Sequence, residues 1–258
     1  MMHLPMPLVP DMTLTRDIID RLDQWVNDLA APLLPARGVE EPNGELRLLL
    51  REHTPHAVML GKLVRAASGI KAALVLADAG YVSECGAILR IVSDFCIEII
   101  AVADSLRRGD PPAAIRAFVE QYFVPLARTS EDYAAIERPR YVSREELIKA
   151  EVRMSEDAGL EGERSRMLRR FLNMRLDAYV HGAYETSMEL FNPNTGRFMV
   201  AGHESLAKHA VLAHALTLKL HEVIVAVLLT AAQFGNADVQ AQAREALDAL
   251  DAPAGTGG

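Results

Sequence analysis

The stretch from Val82 to Arg107 constrains the fold more than any other part of the chain, because it has a helical pattern yet is apolar almost all the way round. With Arg90 at the origin of a wheel of about 100° per residue, Ile88, Leu89, Ile91, Val92, Phe95, Ile99, Ile100 and Val102 fill most of the circumference. A helix of that kind has to be enclosed by others. Three of its charges share one sector. Asp94 falls about 40° and Glu98 about 80° from Arg90, with Gly86, Ala87, Ala101 and Ser105 beside them. Burying a lone charge costs several kcal/mol, so Arg90, Asp94 and Glu98 need partners. Arg90 and Asp94 can pair at i,i+4, which leaves Glu98 wanting one. The stripe is expected either as a buried ion network or as the lining of a cleft, and its small residues allow a second helix or a ligand to come close.

The rest of the chain supplies the enclosing helices. Thr15–Ala30 repeats Ile18, Ile19, Leu22, Trp25, Val26 and Leu29 at helical spacing. Asn43 is placed to cap a helix running through His53, ahead of the break at Pro55. Ala57–Asp78 is helical, Ala79-Gly80-Tyr81 turns the chain, and Gly109, Asp110, Pro111 and Pro112 stop the Val82 helix. A helix from Ala113 to Arg128 is kinked or ended by Pro125. Ser143 with Glu146 has capping-box spacing and opens a helix to about Gly159. Glu163–His181, Glu204–Phe234 and Ala237–Leu250 follow, the first closing on Gly182.

Phe191–Val200, with Asn194-Thr195-Gly196 as its turn, is the plausible hairpin. The expected fold is therefore all-α: a multi-helix bundle of seven to nine helices with at most one short β-hairpin near 191–200. Its expected organisation is a helical extension over 1–56, a main bundle over 57–251 and a disordered tail over 252–258.

Composition narrows the function classes. Half of the 258 residues are hydrophobic and 5% are aromatic, which suits a large helical core. The net charge of −8 gives no overall basic footprint for duplex DNA, although a local basic cluster could still meet phosphate. Cys85 and Cys96 are eleven residues apart within one helix, roughly 16 Å and beyond disulfide reach, so they read as reduced core thiols. The start MMHLPMPLVPDM lacks a basic n-region. The most apolar stretch, Ala210–Ala232, carries His214, Lys219, His221 and Glu222, and its uninterrupted part, Val223–Leu229, is too short for a bilayer. A cytoplasmic protein with no membrane partner is expected.

On Glu163–His181, Arg175 sits in the middle of the apolar arc formed by Leu168, Phe171, Leu172 and Tyr179, with Asp177 on the opposite face and His181 in the last turn. An inward Arg175 and an unsatisfied carboxylate on the Val82 helix make a natural pair, so contact between Arg175 and Asp94 or Glu98 is expected. Two histidines seven apart, His214 and His221, are about 10 Å apart along a helix and cannot share a metal ion. His53 and His56 have no third ligand in pattern, and no phosphate-loop or serine-nucleophile motif occurs. No metal and no cofactor are expected.

Arg175-Leu-Asp-Ala-Tyr-Val-His181 fits Arg-x(4–6)-His and resembles the motif of the HEPN superfamily. Leu176 departs from that pattern, which often has a polar residue directly after the arginine. The resemblance implies a helical bundle and, as in many members, a metal-independent ribonuclease of toxin or antiphage systems that pairs two protomers. His181 would then move a proton to or from the ribose 2′-hydroxyl or the leaving oxygen, and Arg175 would stabilise the charged phosphorane. Asp94 or Glu98 would orient Arg175. Over roughly 57–235 the chain is also similar to a bacterial family of helical domains of unknown function, through Gly80-Tyr81, Ala87-Ile88-Leu89-Arg90, Asp94 and Tyr179-Val180-His181-Gly182. The expected partners are RNA or a nucleotide and a second copy of the chain. The competing reading is a non-catalytic helical module for protein interaction or self-association, in which Arg175 and His181 are structural.

Overall fold

A computed structural model describes residues 12–33, 37–40, 46–49, 52–109, 111–123, 142–157, 167, 174, 176–200 and 206–252. Among them the chain is an all-α bundle. Helix α1 (Met12–Ala30) leads through a 3-10 turn and a small antiparallel pair, β1 (Arg37–Glu40) with β2 (Leu46–Leu49), to α2 (Pro55–Asp78) and α3 (Val82–Arg108). Next come α4 (Ala113–Tyr122), α5 (Arg144–Asp157) and a helical turn over 176–180. Then follow α6 (Tyr184–Met188), the pair β3 (Phe191–Asn192) with β4 (Arg197–Phe198), α7 (Leu206–Phe234) and α8 (Ala237–Asp251).

Helix boundaries follow local chemistry. Thr54 accepts a hydrogen bond from Ala57 N–H at 3.3 Å and Pro55 fills the first turn of α2, where its missing N–H costs nothing. The chain leaves α2 through Gly80 at φ +77°, with Gly80 N–H bonded to Ala77 O and Tyr81 N–H to Leu76 O, a Schellman ending. The capping box at α5 forms as its spacing predicts: Glu146 N–H donates to Ser143 Oγ at 3.2 Å, and Ser143 N–H donates to Glu146 Oε2 at 3.4 Å.

One expectation fails. The helix expected from Asn43 to His53 is absent over Leu46–Leu49, which pairs instead with Arg37–Glu40, Arg37 opposite Leu49 and Glu40 opposite Leu46. Pro42, Asn43 and Gly44 lie between the two strands in sequence. All three are poor in a helix interior, which disfavours a helix nucleus there and leaves Leu46–Leu49 to pair as a strand. The hairpin expected near 191–200 is present, with Phe191 opposite Phe198.

Helices α2, α3 and α7 form the centre. Their fully buried Leu63, Leu89, Ile99, Leu216 and Leu220 belong to one core, and Ile18, Leu22, Trp25 and Leu29 of α1 belong to it too. Trp25 Nε1 donates to Gln242 Oε1 at 2.9 Å, which fixes α1 to α8. Leu212–Phe234 is long and apolar enough to cross a membrane, with mean hydropathy 1.7. Here it packs against α1, α2, α3 and α8, and half of it is buried.

The expected tail of 252–258, apart from Ala252, lies outside the described residues, as do Pro125 and the arginines at 164, 166, 169 and 170, a local basic cluster in the sequence.

Candidate functional site

Arg90 projects from α3 into a nearly closed environment, with 7% of its surface exposed. Its Nε donates to Asp177 Oδ1 at 2.5 Å, and its Nη1 is ion-paired with Asp94 one turn on. Asp177 Oδ2 in turn accepts from Arg144 Nη1 of α5 at 3.4 Å. Burial works against the Arg90 guanidinium, but its hydrogen bonds to Asp94 and Asp177 outweigh that and raise its pKa. Burial likewise pushes Asp177 up, and the hydrogen bond from Arg90, helped by the Arg144 charge, more than reverses this and holds the carboxyl below its ordinary value. Both charges are therefore fixed, and Arg90 is committed to two carboxylates.

The turn carrying Asp177 is docked on α3 by shape as well as charge. Gly86 is the contact point: a Cβ built there would lie 2.6 Å from Tyr179 Cδ2 and 2.7 Å from Cγ. The small residue beside the charged stripe thus admits an aromatic ring. Tyr179 Oη donates to Glu189 Oε2 at 3.0 Å. The turn ends at Gly182, φ +58°, with Ala183 N–H bonded to Ala178 O at 2.9 Å. Thr186 Oγ1 then donates to Ala183 O at 2.8 Å and Ala178 O at 3.1 Å, pinning the exit. His181 stands at this pinned end, exposed, its N–H bonded to Asp177 O at 3.0 Å.

The stripe expected to act as one unit divides. Arg90 and Asp94 face the 176–181 turn, whereas Glu98 pairs with Lys62 Nζ of α2 at 2.7 Å. Eight residues along a helix advance about 12 Å and turn 80°, enough to put Arg90 and Glu98 against different neighbours. Lys62 Nζ sits 5.3, 5.4 and 5.5 Å from the ring centroids of Phe95, Phe118 and Tyr122, so the ammonium is bounded by three rings and a carboxylate. Burial pushes the Glu98 carboxyl up, and Lys62 only partly offsets that.

Asp177, assigned from the wheel to the face opposite the apolar arc, is the residue that reaches α3. Asp94 and Glu98 find Arg90 and Lys62 where Arg175 was expected, and Arg175 itself lies outside the described residues.

Three participants were missed. Arg144 was read only as part of a helix start. Lys62 has no sequence signal beyond being a lone cation in an apolar stretch. Lys219 is 2% exposed, and donates to Ser93 Oγ at 3.2 Å and Glu222 Oε1 at 2.6 Å, while Ser93 Oγ donates to Glu222 Oε2 at 2.8 Å. That triad joins α3 to α7 inside the core.

Among the described residues no group of three His, Cys, Asp or Glu is placed to hold a metal ion. His53 stacks on Phe123 with centroids 4.3 Å apart, and His56 meets the Phe234 ring edge-on. His221 spans α7 and α8, Nδ1 at 2.8 Å from Thr217 O and Nε2 at 3.0 Å from Asp251 Oδ1. Cys85 and Cys96 are buried free thiols, and burial pushes Cys85 up to about 12, which makes it a poor nucleophile.

Compared with protein-family models, curated proteins and solved structures, the chain matches none.

Proposed function

We propose that this chain is a HEPN-like module acting on RNA or a nucleotide, in which His181 is the acid/base and Arg175 the phosphate stabiliser. The observation that carries the reading is the setting of His181: an exposed imidazole at the end of a helical turn whose other side is fastened to the central helix by Arg90–Asp177 and by Tyr179 against Gly86. A general base has to be accessible and carried on a well-placed backbone, and the exposure of His181 on this docked turn supports the reading. In the proposed reaction His181 takes the 2′-hydroxyl proton as that oxygen attacks phosphorus, and the bond to the 5′-oxygen breaks with a proton returned to it. Arg90, committed to two carboxylates, acts as a positioning residue. Arg144, half exposed beside Asp177, is a second cation available to phosphate. The toxin or antiphage setting implied by the family resemblance belongs to the same proposal.

The test is cleavage of a mixed-sequence RNA in EDTA. Wild type is expected to cleave, and His181→Ala and Arg175→Ala to lose about 10²-fold or more with unchanged circular dichroism. Clean wild-type protein without cleavage, or full activity in both variants, would refute the proposal.

A second reading, self-association, has its own observation. Met167, Met174 and Val180 are 66%, 61% and 46% exposed, and the two methionines are seven residues apart, the spacing of one helix face. Sedimentation of wild type against Met167→Glu/Met174→Glu decides it: a dimer that the charges dissociate supports it, and a monomer in both overturns it.

A further inference from the structure

At the far end of α3 from Arg90 a cavity of about 340 Å³ opens between α3, the start of α4 and α5. It is within the size range of small-molecule sites. Ser105 lies fifteen residues after Arg90, roughly 22 Å along the helix, so this cavity is separate from the His181 turn.

Three features converge on it. First, Ser105 is 4% exposed and lines both this cavity and an adjoining one of about 170 Å³, and its hydroxyl has no hydrogen-bond partner in the protein. A hydroxyl on a cavity wall with no protein partner is open to a hydrogen bond with an entering group. Second, α4 begins here with Pro112 as its cap residue and no side-chain cap. Ile115 and Arg116 N–H both turn back to Pro112 O, while Ala113 and Ala114 N–H find no protein acceptor. Ten residues of helix dipole therefore point their positive end at the cavity wall formed by Pro112 and Ala114.

Third, Arg108, Lys149 and Arg153 line the same space against two carboxylates, Asp104 and Glu146. The Asp104 charge is offset by guanidiniums, and the single remaining carboxylate, Glu146, is outnumbered by the three cations of the lining. Asp104, 1% exposed, accepts from Arg108 Nε at 2.9 Å and from Arg153 Nε and Nη2 at 3.1 and 2.8 Å. Glu146 is turned back to cap its own helix through Ser143. Asp104 thereby orients two guanidiniums that retain unused N–H donors. Ala101, Ile115 and Ala150 give the cavity an apolar floor.

We infer that this cavity is a binding site for a small organic anion, a carboxylate or phosphate monoester on a compact apolar body, with its oxyanion on Ser105 Oγ, the α4 N-terminus and the Arg108/Arg153 guanidiniums. The site stands independently of the activity proposed for His181.

Phenyl phosphate and benzoate, titrated calorimetrically into the full-length protein, test it and separate the two anion classes. The expected result is saturable 1:1 binding of one or both at submillimolar concentration, weakened by raising the salt. Ala114→Glu puts a carboxylate at the helix N-terminus, where it favours folding yet opposes an anion. It should weaken binding at least tenfold, with Ala114→Gln intermediate and His181→Ala unchanged. Ser105→Ala should weaken it severalfold. No saturable binding of either probe to wild type, or binding unchanged by both Ala114→Glu and Ser105→Ala, would overturn the inference.

Discussion

Replacing Gly86 by alanine should destabilise the protein although the substitution improves a helix. In an isolated helix interior the exchange gains about 0.5–1 kcal/mol. Here the new methyl would lie 2.6–2.7 Å from Cδ2 and Cγ of Tyr179, about an ångström inside ordinary contact. The ring cannot step aside cheaply, because its hydroxyl is tied to Glu189 at 3.0 Å and Asp177, two residues before it, is tied to Arg90 at 2.5 Å. Overpacking of this kind costs about 1–3 kcal/mol, so Gly86→Ala should lower stability by about 1 kcal/mol, within a range of about 0–2.5. The sign becomes diagnostic in a Tyr179→Ala background. With the ring gone that clash is removed, and the same substitution should stabilise by up to about 1 kcal/mol. Urea unfolding of the four proteins in the cycle gives both values and a coupling of about 1–3 kcal/mol. Stabilisation of similar size in both backgrounds would refute the docking of Tyr179 on Gly86.

Other perturbations probe the remaining charge clusters. Asp104→Asn removes the carboxylate shared by Arg153, Arg108 and Arg107, of which the last two keep Asp157, and should cost about 1–3 kcal/mol at pH 7, less than a fully buried pair because solvent screens the guanidiniums. Burial pushes the Asp104 carboxyl up, but bonds from Arg153 and Arg108 leave it net depressed. Its contribution is therefore present above the ordinary Asp value of about 3.9 and lost as pH falls below it, so wild type and variant should converge in acid unfolding titrations. Lys219→Met leaves Glu222 without the 2.6 Å partner it has in the core and should cost about 3 kcal/mol, most of it recovered in Lys219→Met/Glu222→Gln; failure of the double variant to recover would discount the triad. Lys62→Met should raise the already elevated Glu98 carboxyl further, so that the variant is more stable at pH 5 than at pH 7 by about 1 kcal/mol; thermal unfolding at the two pH values reads this, and a flat profile would contradict it.

Much of this bundle was written in local pattern. The Val82 helix, apolar all round, is central, and Ser143 with Glu146 forms the cap its spacing requires. The Arg90–Asp94 pair was legible because both partners share one helix and i,i+4 spacing fixes their distance. The pairings across helices were not. Lys62 reaches Glu98 from α2, Lys219 reaches Ser93 from α7, and Asp177 reaches Arg90 from 87 positions along the chain. A wheel fixes only the angle of a residue about its own axis; which neighbouring helix stands at that angle is decided by packing of the whole bundle. Asp177 shows the consequence. Judged against the apolar arc centred on Arg175 it belonged outside, but the face it occupies meets the charged stripe of α3. The helix expected at Asn43 failed for a different reason, since the cap signal at Asn43 was weighed without the turn chemistry of Pro42 and Gly44 beside it.

In the proposed reaction His181 depends on the Arg90–Asp177 bond to hold its turn. The decisive measurement is RNA cleavage in EDTA by Arg90→Met and Asp177→Asn, compared with wild type and with Arg90→Lys. A roughly 10–100-fold loss of kcat is expected in both disruptive variants, with unfolding that stays cooperative and partial recovery with lysine. Cleavage at the wild-type rate by folded Arg90→Met and Asp177→Asn would refute that role.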